Sequence, residues 1–193
     1  MLQELEDMSG QLARLELSLR RQLHIAALGG VEASSEVRLF NLYFQNYYKD
    51  AFKRLSNSQR LSYQLIHGLV DAFNRDLELF PQYVRAVVEQ IQTSSPDERE
   101  RLGRLWVDRM AATYTSIRTL QWHVAYHLDN KANPALDLLG PTHKTYAEYQ
   151  KTIDGDIKKI VESSKTTSLA DFQFETGIGD RMTLPDRGSD KKE

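Results

Sequence analysis

Apolar residues return once per helical turn along most of the chain, and that rhythm predicts an all-α protein. In the first segment Leu5, Met8, Leu12, Leu15 and Leu19 stand three and four residues apart with charged residues between them. This is the a/d register of a helix seam, and it stops at Gly29-Gly30. Leu2, Leu17, Leu23 and Ile25 lie off the strict register and widen the stripe enough to touch more than one neighbour.

A second helix is expected from Ser34 or Ser35, either of which can cap it, to about Leu55. Its face is aromatic: Val37, Phe40, Phe44, Tyr47, Ala51 and Leu55, broadened by Tyr43, Tyr48 and Phe52. Ser56-Asn57-Ser58 reads as a turn capping a third helix from about Gln59 to Leu79. Pro81 is expected to end or kink that helix near Phe80, because proline lacks an N–H and pushes its predecessor out of the α region. Tyr83, Val84, Val87, Val88 and Ile91 then carry a fourth helical piece to about Gln92.

The sharpest local signal is Ser95-Pro96-Asp97-Glu98, with Ser as the cap, Pro at the first helical position and Glu placed to reach back from the third. The long helix it opens runs through Leu102, Leu105, Trp106, Met110, Thr113, Ile117, Leu120, Val124 and Leu128. The stretch 130–141, with two prolines, reads as a loop. A last helix from about Thr142 to Glu162 is carried by Tyr146, Tyr149, Ile153, Ile157 and Ile160. The expected architecture is an elongated antiparallel helical bundle of about five to six helices over residues 1–162, followed by a disordered tail at 163–193 whose few apolar residues keep no period.

Composition narrows the class. With 40% hydrophobic and 27% charged residues the chain has enough apolar material for a packed core. Its net charge of −2 comes from 25 basic and 27 acidic residues interspersed along it, so no global field draws a polyanion, and nucleic acid is not the expected partner. Cysteine is absent, which excludes disulfides, thiolate metal sites and thiol nucleophiles. The longest apolar runs, such as Ile25-Ala26-Ala27-Leu28, fall far short of the roughly 20 residues that cross a bilayer, and the start of the chain is acidic where a signal peptide is basic. A cytoplasmic protein without membrane contact is the expectation.

Candidate chemistry is sparse. His123 and His127 stand one turn apart on one helix, the spacing that aims two imidazoles at one divalent metal. A third ligand would come from His67, Asp71, Asp129 or His143; the competing reading packs one ring beside Trp122 and leaves the other in solvent. His67, Asp71 and Arg75 at successive i, i+4 steps suggest a carboxylate-oriented imidazole or, more plainly, a polar stripe. Arg99, Arg101, Arg104 and Arg109 crowd the start of the long helix but are mixed with Asp97, Glu98 and Glu100. The chain has no Glu-x-x-His ligand pair, His-Glu-x-x-His helix, phosphate loop, dinucleotide fingerprint or nucleophile elbow.

These absences favour an interaction or scaffold protein that self-associates or binds a partner protein, with no cofactor. Leu5, Leu12, Leu15 and Leu19 are the expected contact residues. The alternative is a metal-dependent helical enzyme or metal sensor built on His123 and His127.

Overall fold

In the computed structural model the described residues are 2–32, 39, 48, 50–129 and 141–169, the side chains of 2 and 141–144 excepted. They form α1 (Leu2–Ala27), a short 3₁₀ turn (Phe52–Arg54), α2 (Asn57–Thr93), α3 (Pro96–Asp129) and α4 (Pro141–Ser163), with no strand among them. The protein is all-helical, as the periodicity predicts.

Local chemistry sets the ends of these helices. α1 stops in a Schellman arrangement, in which the Gly30 N–H donates to the Ile25 carbonyl at 2.8 Å and the Gly29 N–H to that of Ala26 at 2.9 Å. Gly29 has φ of 82°, a conformation that costs glycine little and other residues more. Gly30 is required for space, since a Cβ there would stand 2.8 Å from the Ile25 side chain and 3.1 Å from that of Leu169. Ser56 caps α2 in a capping box: its hydroxyl accepts from the Gln59 N–H at 3.2 Å, and the Gln59 side chain accepts from the Ser56 N–H at 2.9 Å. Ser95 accepts from the Glu98 N–H at 3.4 Å to open α3. The Glu98 carboxylate turns instead to Arg101, which donates to it twice, at 2.9 and 2.6 Å.

Pro81 neither ends nor divides a helix. The two pieces expected on either side of it are one helix of 37 residues with Pro81 inside. A proline in a helix interior costs about 3 kcal/mol. Packing on both sides offsets that cost: Leu77 and Phe80 are buried before it, Phe80 lies against Trp106 with ring centroids 5.6 Å apart, and Val84 and Val87 join the core after it. The aromatic helix expected from Ser34 or Ser35 falls mostly outside the described residues. At Leu39 the chain is not helical, whereas Tyr48, Asp50 and Ala51 are, just ahead of the 3₁₀ turn. Of the stretch expected as a loop at 130–141, Pro141 opens α4 and the rest lies outside the described residues, as do residues 170–193 of the expected tail.

α3 is the common partner of the other helices: α1, α2 and α4 all pack on it, and α4 also touches α1. Contacts fix the directions. Tyr114 meets Glu16 while Gln121 meets Leu12, so α1 and α3 are antiparallel. Asp76 meets Arg109 while Tyr63 meets His127, so α2 and α3 are antiparallel as well. The buried seam of α3 is Leu102, Trp106, Met110, Thr113, Ile117, Leu120, Val124 and His127, spaced by four- and three-residue steps throughout. Leu105, expected in that stripe, is 51% exposed, because Trp106 holds the core register and its neighbour is turned away.

Candidate functional site

The leucines expected to form an intermolecular seam are covered within the chain. Leu5, Leu12, Leu15 and Leu19 are 0–8% exposed and belong to the core cluster that includes Met110, Ile117, Leu120 and Val124 of α3. Their a/d register is satisfied by a helix of the same molecule.

The two histidines are brought to different neighbours. His127 occupies a seam position, is buried, and has its ring centroid 4.6 Å from that of Tyr63 on α2. His123 is half-buried, edge-on to Trp122 at 4.9 Å and stacked on Tyr146 of α4 at 5.8 Å, so neither ring faces open solvent. Burial pushes both imidazoles below their ordinary pKa, leaving them neutral at pH 7. Of the other proposed ligands, Asp71 and Asp129 are exposed, His67 is buried with its pKa pushed down to about 4, and the side chain of His143 is outside the described residues. Among the described residues no three His, Asp or Glu side chains gather in a metal-holding group. In the stripe His67, Asp71 and Arg75, only His67 is buried.

The arginines at the start of α3 are engaged. Arg101 pairs with Glu98, Arg104 donates to Glu100 at 2.6 Å, Arg99 donates to the Ser94 carbonyl at 3.0 Å, and Arg109 crosses to Asp76 of α2 at 2.9 Å. Trp106 is buried in the core and offers no stacking face.

A polar junction that periodicity could not reveal lies where α1, α3 and α4 meet. Arg118 donates through Nε to the Tyr149 hydroxyl at 2.9 Å, and through Nη1 to the Tyr114 hydroxyl at 2.6 Å and to Asp156 at 3.1 Å. Tyr114 in turn donates to Glu16 at 3.0 Å. Burial, with Glu16 beside it, holds the Tyr114 phenol at about 12, so the hydroxyl remains a donor across the physiological range. One guanidinium thereby ties α4 to α3 and, through Tyr114, to α1. A second tie, Thr119 to Tyr146 at 3.0 Å, fixes the start of α4.

Among the described residues, the outward side of the α2–α3 pair is one surface that the packed helices leave open. Leu69, Ala72, Asp76, Leu79 and Tyr83 recur on one face of α2; Leu105, Arg109, Ala112, Ser116 and Thr119 recur on one face of α3. The Asp76–Arg109 pairing sets these two rows side by side. Between them is a furrow of about 300 Å³, lined by Leu69, Ala72, Phe73 and Asp76 from α2 and by Thr115, Ser116 and Thr119 from α3. Towards the hairpin end, Leu79 is 41% and Tyr83 38% exposed, near the 51% exposed Leu105. The Arg109 guanidinium lies 4.6 Å from the Tyr83 ring centroid, so the one charged pair within this face is also stacked on its aromatic edge. Part of the signal for this face was present in the sequence as Leu69, Ala72, Leu79 and Tyr83 beside the core row of α2; on α3 it was hidden because adjacent positions such as Leu105 and Trp106 compete for one stripe.

No protein-family model, curated protein or solved structure matches the chain. Among the described residues no helix is long and apolar enough to cross a membrane.

Proposed function

We propose that the protein is a helical scaffold that works by binding another protein through the outward face of the α2–α3 hairpin, without catalysis. In this reading the packed helices form an elongated antiparallel bundle whose task is to hold that face rigid. The observation that carries the reading is that Leu79, Tyr83 and Leu105, large apolar side chains left 38–51% exposed, stand on the rows of α2 and α3 that the Asp76–Arg109 pair joins. Exposed apolar surface in a contiguous row, rather than singly, is what interaction sites present. The engaged arginines of α3 and the buried Trp106 favour protein over nucleic acid as the partner.

Site-specific photo-crosslinking in the native host tests this. A crosslinking side chain at position 79 or 105 should give a discrete adduct, and the same group at Gln64 or Glu89, exposed elsewhere on α2, should give none. Equal labelling from all four positions, or none from any, overturns the reading. An adduct of two copies of the chain would make the partner itself; any other mass makes it a different protein.

The alternative, a divalent metal on His123 and His127, draws support from both imidazoles being held neutral, the form that ligates. Elemental analysis of protein purified without chelator tests it, and a metal-free result that persists after incubation with zinc or nickel retires it.

A further inference from the structure

We draw no further inference here: the strongest candidate, the outward face of the α2–α3 hairpin with exposed Leu79, Tyr83 and Leu105, belongs to the site already described, and nothing in the structure shows what covers it.

Discussion

Asn74 grips the main chain of Leu39 with both halves of its carboxamide: the Leu39 N–H donates to Oδ1 at 2.9 Å, and Nδ2 donates to the Leu39 carbonyl at 3.0 Å. Leu39 is 2% exposed, so a lost bond there is poorly replaced by water. This side-chain clamp satisfies the backbone at a position where the chain is not helical, despite the helical spacing of the apolar residues around it.

Asn74→Ala should therefore cost about 1–3 kcal/mol, the penalty for leaving buried backbone groups unpaired. Asn74→Asp should cost more at neutral pH, because a carboxylate still accepts from the N–H but sets a second acceptor against the carbonyl. The gap between the two variants should narrow in acid, where a protonated Asp regains the donor. Urea denaturation of both variants at two pH values checks this, and equal stabilities at both would show that the clamp contributes nothing.

Arg118 is the second position where one side chain organises several elements. Its side chain is 16% exposed, and its partners Glu16 and Asp156 are 14% and 34% exposed. Removing the guanidinium strands two carboxylates that are partly withdrawn from water, so Arg118→Ala should destabilise the fold by about 2–3 kcal/mol. Tyr149→Phe, which loses one hydrogen bond, should cost about 1 kcal/mol. Hydrogen exchange should speed up in α4 first, because the junction ties it to α1 and α3. Uniform acceleration across all helices would deny Arg118 that local role.

The buried histidines make stability depend on pH. Burial depresses His67 to about 4 and also lowers His24, His123 and His127, so below the unfolded value of about 6.5 the unfolded chain binds more protons than the folded one. Stability then rises with pH through the window from about 4 to 6.5, is complete above it, and is lost as pH falls through it. For His67 alone the loss should reach about 3 kcal/mol at the bottom of the window. His67→Leu should flatten the profile of unfolding free energy between pH 4.5 and 6.5. A slope unchanged from the parent would place the acid sensitivity in other groups.

What could be read from the sequence was local. The Ser56 and Ser95 caps and the Gly29-Gly30 stop are written in a few adjacent residues and appear where the spacing puts them. Pro81 misleads because its backbone cost is local while the Phe80–Trp106 packing that offsets it comes from another helix. His127 was legible only as half of an i, i+4 pair. Its place in the seam, one step after Val124, explains why it is buried and turned toward Tyr63. The Arg118 junction and the Asn74 clamp join residues 31–102 and 35 positions apart in chain order, respectively, and no period predicts such pairs.

Core and outward face can be separated by paired substitutions. Leu12 is fully buried, so Leu12→Ala removes packed methyls and leaves a cavity, a loss of about 2–5 kcal/mol. Leu12→Lys should abolish folding at moderate temperature rather than dissociate an otherwise folded complex, because Leu12 is buried in the core cluster of this same chain, with its carbonyl beside Gln121 of α3. Leu105, half in solvent, should behave oppositely: Leu105→Ala should change stability by no more than about 0.5 kcal/mol. Thermal melts paired with light scattering distinguish the two. A Leu12→Lys protein that stays folded and merely loses mass would return the first helix to an intermolecular role, and a Leu105→Ala protein that unfolds would show that its side chain is covered.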